Sequence, residues 1–151
     1  FYNANNSPNR GSKRLTSDIF ALATAVMFQS AVQHFALAPN NLIDAPDWAI
    51  GFMKEVPTTW DEVKFIDGYP GKYVVLARRH GNTWYVAGVN AQKETVKVKA
   101  KLPMISTGAA LKIYSDDASL NGKVTTEKMN KNQEVELTIP TNGGVLIIGQ
   151  Q

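Results

Sequence analysis

Residues 72–101 read KYVVLARRHGNTWYVAGVNAQKETVKVKAK, and this stretch decides the fold. Over residues 95–101 lysine alternates with valine and alanine, so one face of a strand is charged and the other is apolar. Residues 80–82, His-Gly-Asn, have the composition of a tight turn between two apolar runs. The stretch therefore predicts neighbouring antiparallel strands that each pack on one face.

The alternating pattern extends on both sides of this stretch, from residue 57 to residue 151. Turns such as Asn121-Gly122 and Asn142-Gly143-Gly144 separate short runs rich in β-branched and aromatic residues. Short strands joined in this way are typical of an antiparallel β-sandwich. The predicted strands, about eight in number, are residues 62–67, 72–79, 83–90, 95–101, 110–115, 123–129, 134–139 and 145–149.

The chain before Pro57 follows a helical spacing instead. Thr16 and Ser17 are suited to cap a helix over residues 19–34, and Asp18 adds a negative charge to its first turn. This helix is apolar on most sides, so neighbours must bury it from several directions. Without another domain to cover it, we expect the helix either to pack onto the sandwich or to drive self-association through exposed helices.

A second helix follows the turn residues 39–41. Pro46 lies near its first position and Pro57 ends it. The change from helical to alternating spacing places a domain boundary here. We predict residues 1–56 as one unit, with a loop over residues 1–14, and residues 57–151 as the β-sandwich domain.

Composition excludes several classes of protein. The 16 Lys and Arg and 13 Asp and Glu residues give a formal charge of +3 without a long run of one sign, so nucleic-acid binding has little support. Cysteine is absent, which removes disulfides and thiolate chemistry. The apolar run at residues 19–28 is shorter than the about 20 residues that a membrane span needs. Its polar continuation also argues against a secretory leader.

The carboxylates offer no pair suited to acid–base catalysis. Hydrolysis of a glycosidic bond usually needs two carboxyl groups that flank it. Asp61 and Glu62 are adjacent, so on a strand they point to opposite faces. Asp116 and Asp117 share this defect and precede a turn. We interpret both pairs as solvated charges and predict no catalytic residue.

Two histidines are the only imidazoles in the chain. His34 falls near the end of the predicted buried helix, where a hydrogen-bonded structural histidine is favoured over a ligand. His80 falls in a turn, where it should be exposed. We predict neither a metal site nor a cofactor-binding residue in this chain.

Five aromatic residues in the first half of the β region could stack on sugar rings. Because Trp84 and Tyr85 are adjacent on a strand, they point to opposite faces and cannot serve one surface. Packing in the core or at a domain interface is favoured for each of them over a sugar platform. The five are Trp60, Tyr69, Tyr73, Trp84 and Tyr85.

Three long strings resemble the C-terminal region of glycoside hydrolase family 97. They are residues 56–62 (VPTTWDE), 67–79 (DGYPGKYVVLARR) and 84–90 (WYVAGVN), and the helix around residues 28–36 is similar to that family's last barrel helix. The resemblance extends over about residues 8–92 and is far more specific than a short motif. Because the chain begins with Phe1 and not with methionine, we expect it to be part of a longer protein.

The resemblance implies an enzyme with an N-terminal β-supersandwich, a (β/α)8 barrel and a C-terminal antiparallel β-sandwich. Family members hydrolyse α-glucosides or α-galactosides with a calcium ion in the active site, and many work in the periplasm or cell envelope. The family's catalytic and calcium-binding residues lie upstream, so none maps onto this chain. Residues 1–56 would then be the last loop and helices of the barrel, with the loop near its active site.

This resemblance favours a non-catalytic region whose sandwich buttresses the barrel and whose helices form the join. Its partners would be the barrel, the N-terminal domain and, for the whole enzyme, an oligosaccharide. A carbohydrate-binding module that uses aromatic residues on a strand face is the alternative. An assembly domain that dimerises through Trp48, Phe52 or the apolar helix is the third hypothesis.

Overall fold

The structure, a computed structural model, describes residues 14–37, 39 and 41–151. Most of the predicted loop at residues 1–14 lies outside the described residues. Helices and strands follow one another in the order α1 (Asp18–Met27), α2 (Asn41–Asp44), α3 (Asp47–Glu55), β1 (Glu62–Tyr69), β2 (Tyr73–His80), β3 (Thr83–Asn90), β4 (Val96–Lys101), β5 (Ala110–Asp116), β6 (Gly122–Lys128), β7 (Glu134–Ile139) and β8 (Gly144–Gln150).

The strands form two antiparallel sheets that pack face to face. The larger sheet has six strands in the order β1-β2-β3-β8-β5-β6, and the smaller consists of β4 and β7. Trp84, Val86 and Ile147 from the larger sheet pack with Val98 and Leu137 from the smaller in one buried core. The predicted sandwich and all eight strands are confirmed, with ends that differ by at most two residues.

The hairpin of β2 and β3 shows how the sequence specifies this register. Its pairs run from Tyr73 opposite Asn90 to His80 opposite Thr83. Gly81 makes the turn with φ of 58°, a left-handed conformation that costs glycine little. Trp84 enters the inner core, while Tyr85 faces a second apolar cluster on the outer face. The alternation predicted for this strand is confirmed.

Helix α1 is shorter than predicted and ends at Met27 instead of residue 34. Phe28 already has an extended backbone, with φ of −72° and ψ of 143°. The buried guanidinium of Arg78 donates hydrogen bonds to the carbonyl oxygens of Phe28 at 2.8 Å and Met27 at 3.3 Å. These carbonyls therefore have donors without a further helical turn.

The second predicted helix corresponds to α3, which begins one residue after Pro46. Phe52 is buried, and its ring meets that of Tyr114 edge-on at a centroid distance of 5.6 Å. The short helix α2 is an addition, because the sequence around it predicts a turn. Division of the chain into residues 1–56 and 57–151 stays a prediction.

Gly144 controls how closely α1 approaches the sheet. A Cβ built there would lie 2.7 Å from the backbone nitrogen of Phe20. We expect Gly144→Ala to push the helix outward and to lower the free energy of unfolding by about 1–3 kcal/mol, as overpacking does. Thermal denaturation followed by circular dichroism measures this loss.

Gly51 in α3 supplies the matched control. A Cβ there would meet nothing within 4 Å. Gly51→Ala should therefore raise stability by about 0.5–1 kcal/mol, because alanine loses less backbone entropy in a helix. Equal effects of the two substitutions would contradict the close packing of α1 on the sheet.

Candidate functional site

The helical layer, defined as α1, α3 and the connecting residues 28–37, packs on the outer face of the six-stranded sheet. Its buried side chains and those of the sheet form a cluster separate from the inner core. The first of the two predicted outcomes for the helices, packing onto the sandwich, is confirmed. The cluster consists of Ile19, Leu22, Ala23, Ala25, Val26, Ala49, Phe52, Val56, Ala87, Tyr114 and Leu146.

A buried carboxylate joins α1 to two strands. Asp116, the last residue of β5, is 7% exposed. Its Oδ2 accepts hydrogen bonds from the Ser17 hydroxyl and, at 2.8 Å, from the backbone N–H of Gly144. The Ser17 hydroxyl in turn accepts a bond of 2.9 Å from the N–H of Phe20. Capping of the helix by Ser17, as predicted, is confirmed.

The prediction that Asp116 is a solvated charge is wrong. It assumed an ordinary turn and missed that Ser17 and Gly144 converge there. Burial raises the pKa of Asp116, although the hydrogen bonds from Ser17 and Gly144 act in the opposite direction. Asp117 is exposed as predicted, and bonds from the N–H groups of Asn121 and Ser119 help to lower its pKa.

Arg78 is a residue that sequence reasoning missed. It is 1% exposed on β2, and its guanidinium lies 5.7 Å from the centre of the Trp60 ring. Burial lowers its pKa, yet an arginine stays charged near neutral pH. An arginine on the same predicted strand as the apolar run of residues 73–77, directly after it, is the available signal, since a buried charge needs a partner.

The other candidate residues are dispersed, and two interpretations need correction. His34 is exposed in the segment after α1, so a buried structural role for it is wrong. His80 is exposed as predicted, with its Nδ1 2.9 Å from the carbonyl oxygen of Thr59. Asp61 and Glu62 do not point apart, because both contact Arg79, at 3.5 and 3.3 Å.

Asp61 and Glu62 can both reach Arg79 because β1 begins only at Glu62. The alternation of side chains along a strand therefore does not apply to Asp61. Both carboxylates are largely solvated, with side chains 51% and 41% exposed, and this part of the interpretation holds. A hydrogen bond from Lys64 is the main reason that the pKa of Glu62 is lowered, and Arg79 adds to it.

The predicted aromatic residues also separate. Trp84 is buried in the inner core, and Trp60 meets Tyr85 edge-on at 5.3 Å beneath the helical layer. Tyr69 is 63% exposed at the end of β1. It lines a groove of about 510 Å³ together with Phe65, Pro70, Lys72, Tyr73 and Val89.

Among the described residues, the large exposed apolar side chains fall in two regions of the sequence. The helical apolar surface lies at residues 15–43, and the β1 apolar surface lies on a single strand. Beside the first is a groove of about 280 Å³ lined by Phe28, Val32 and Phe35. The helical apolar surface consists of Leu15, Phe28, Val32, Leu42 and Ile43, and the β1 apolar surface consists of Val63, Phe65 and Tyr69.

The described part of the chain meets the requirements of neither a metal site nor a membrane-spanning helix. Residues 14–37, 39 and 41–151 contain no group of three or more His, Cys, Asp or Glu side chains placed to hold a metal ion. Within the same residues, no helix has the length and apolar character to cross a bilayer. The absence of catalytic residues stays a prediction.

An antiparallel sandwich with helices packed on the outer face of its larger sheet defines a helix-covered β-sandwich domain. Residues 59–148 match the family described as glycosyl-hydrolase 97 C-terminal, oligomerisation. The chain therefore belongs to glycoside hydrolase family 97 as part of its C-terminal region, and the resemblance noted in the sequence is confirmed.

Curated relatives give the same assignment. A retaining α-galactosidase of Bacteroides thetaiotaomicron is 41% identical over 68 residues, which is 45% of this chain and 10% of that protein. A probable retaining α-galactosidase of Streptomyces bingchenggensis is 36% identical over 75 residues, or 50% of this chain and 12% of that protein. The chain thus spans about a tenth of the length of the curated relatives it matches.

Solved structures extend the likeness to the helical layer. A β-arabinopyranosidase is 52% identical with a TM-score of 0.88, over 95% of this chain and 23% of that chain. A family 97 enzyme from Pseudoalteromonas in complex with acarbose is 26% identical with a TM-score of 0.78, over 89% and 22%. These relatives are glycoside hydrolases, so the chain is a region of a hydrolase family.

The raised pKa of Asp116 predicts a pH dependence of stability. Because its pKa is higher in the folded state than in the unfolded chain, its contribution is fully present below the unfolded pKa of about 3.9 and is lost as pH rises through the folded pKa. Asp116→Asn keeps an acceptor oxygen but cannot ionise. The melting temperature of the variant relative to the natural chain should therefore rise from about pH 4 to about pH 7.

Asp117→Asn is the matched control, because Asp117 is exposed and its pKa is lowered. Its melting temperature relative to the natural chain should fall over the same pH range. A relative melting temperature of Asp116→Asn that stays flat with pH would contradict burial of an ionisable carboxylate at the α1 junction.

Proposed function

We propose that this chain is the non-catalytic C-terminal region of a glycoside hydrolase, in which the sandwich buttresses a preceding catalytic barrel. The observation that carries the proposal is the helical apolar surface. Family membership supports a position C-terminal to a catalytic region, and an exposed set of apolar residues within residues 15–43 is suited to contact such a region.

The exposure of the apolar side chains in the helical apolar surface supports contact with another domain. Val32 and Ile43 are 78% and 85% exposed, and Phe28 is 65% exposed at the edge of the 280 Å³ groove. The opposite side of the same layer is already buried against the sheet. Exposed apolar residues in the segments that flank and connect helices packed on a sheet are expected where two packed units meet.

We further propose a galactose-like sugar as the substrate of the whole enzyme, in preference to a glucoside. The relative with 52% identity is named a β-arabinopyranosidase, and the curated relatives are α-galactosidases. The β-pyranoside of L-arabinose has the ring configuration of an α-D-galactoside and lacks only its exocyclic hydroxymethyl group. We take the two names together as support for a sugar with this ring configuration.

Two further proposals rest on the family resemblance. The whole enzyme binds a calcium ion in its barrel, with ligands from residues upstream of this chain. It works in the periplasm or cell envelope. The isolated chain takes no part in the chemistry and holds no cofactor.

A double substitution tests the helical apolar surface as the join. Val32→Lys with Ile43→Lys should change the stability of the 151-residue chain by no more than about 0.5 kcal/mol, because both positions are exposed there. In the longer hydrolase the same lysines would be buried unpaired, so its melting temperature and activity should fall. Differential scanning fluorimetry on both proteins makes this comparison.

Thr126→Lys on β6 is the control, because Thr126 is exposed and distant in sequence from the helical layer. It should leave both proteins unchanged. If the double substitution has the same small effect in both proteins, the helical layer is not the join and the buttress proposal fails.

Enzyme assays and calorimetry test the sugar proposals together. The longer hydrolase should cleave 4-nitrophenyl α-D-galactopyranoside or β-L-arabinopyranoside faster than the α-D-glucopyranoside, and the 151-residue chain should cleave none of them. Titration of the isolated chain with maltose and melibiose oligosaccharides should give no heat. Measurable heat that disappears in Tyr69→Ala would favour the carbohydrate-binding alternative at the 510 Å³ groove.

A further inference from the structure

The two outer strands of the six-stranded sheet differ in how they are protected. Such strands present unpaired N–H and C=O groups, and proteins usually blunt them with charged side chains. On β6 the exposed residues are polar or charged, among them Lys123, Glu127 and Lys128. On β1 the exposed residues Val63 and Phe65 are 49% and 68% accessible. Of these two strands, β1 therefore combines exposed apolar side chains with an outer edge over residues 62–65, which precede the β-bulge between Phe65 and Asp67.

Val63 and Phe65 lie on one face of β1, since side chains two residues apart on a strand share a face. They are opposite Arg78 and Leu76 of β2, whose side chains are buried or half-buried. Glu62 and Lys64 alternate with them and form an ion pair of 3.3 Å. The edge thus presents an apolar row on one face and a Glu-Lys pair on the other.

The order of charges in residues 62–65 allows β1 to pair with β1 of a second copy so that opposite charges meet. When two β1 strands pair antiparallel about a twofold axis at Val63, Glu62 lies opposite Lys64 of the second copy, and Lys64 lies opposite its Glu62. Val63 then meets Val63, and Phe65 reaches it diagonally. The register shifted by two residues would place Lys64 opposite Lys64, which is unfavourable.

The extent of the family match points to the same surface. Residues 59–148 begin just before β1 and exclude α1, α2 and α3. The family description mentions oligomerisation without a surface, and the matched strands contain exposed large hydrophobic residues on β1 alone among the described residues.

We infer that β1 is the interface between two copies of this chain, which join their six-stranded sheets edge to edge through an antiparallel β1–β1 pair centred on Val63. The symmetry is twofold, so each Glu62–Lys64 contact occurs twice. The inference does not depend on the proposed function, because the helical apolar surface takes no part in this contact.

Charge reversal on the 151-residue chain tests the interface. All proteins carry Val32→Lys and Ile43→Lys, so that the helical apolar surface cannot drive association. Lys64→Glu places glutamates opposite one another and should weaken dimerisation at least about tenfold in sedimentation equilibrium at low salt. The exchange Glu62→Lys with Lys64→Glu restores opposite charges and should recover dimerisation to within about threefold of the parent.

Lys128→Glu on β6 is the matched control for a charge reversal at the other sheet edge, and it should leave the dimer unchanged. Folding is checked by thermal denaturation, which Glu62 and Lys64 should tolerate because their side chains are 41% and 43% exposed. A chain that remains monomeric up to about 1 mM overturns the inference. So does a dimer that ignores Lys64→Glu, or a folded double exchange that stays monomeric.

Discussion

The contact between Ser17, Asp116 and Gly144 is the constraint on which the arrangement of helix and sheet depends. A buried carboxylate is costly unless hydrogen bonds satisfy it, and here one oxygen accepts from the helix-capping hydroxyl and from the first residue of β8. The same hydroxyl accepts from the N–H of Phe20. Three elements are thereby joined at one point, and Gly144 has no side chain to separate them.

Apolar strands in the middle of the large sheet follow from this constraint. Because α1 covers the outer face and β4 with β7 covers the inner one, β8 is buried on both faces over residues 144–147. A strand that is buried on both faces shows a continuous apolar run. Strand β4 has one solvent-exposed face, and its lysines alternate with valine or alanine. The helical layer is therefore part of what keeps the sandwich folded, because it covers the outer face of β8.

The strands and their turns could be predicted from sequence because their signals are local. Alternation at residues 95–101 and the Gly81 turn need no knowledge of the rest of the chain. The end of α1 could not be predicted in this way, because the donor that replaces its next turn is Arg78, fifty residues away in sequence from Phe28. The burial of Asp116 could not be predicted for the same reason, since its partner Ser17 is 99 residues distant in sequence. Local patterns fix the elements, and non-local polar contacts decide where helices end and which charges are buried.

The two apolar surfaces of this domain differ in whether charged residues alternate with the apolar ones. The helical apolar surface consists of Leu15, Phe28, Val32, Leu42 and Ile43, and a surface of this kind associates with any complementary apolar face. On β1 the apolar residues alternate with Glu62 and Lys64, whose order admits one antiparallel self-pairing and disfavours its neighbour. Backbone pairing at an edge is otherwise indifferent to sequence, so selectivity must come from the side chains. The alternation that makes β1 a strand also favours pairing of its edge with a second copy in the register centred on Val63.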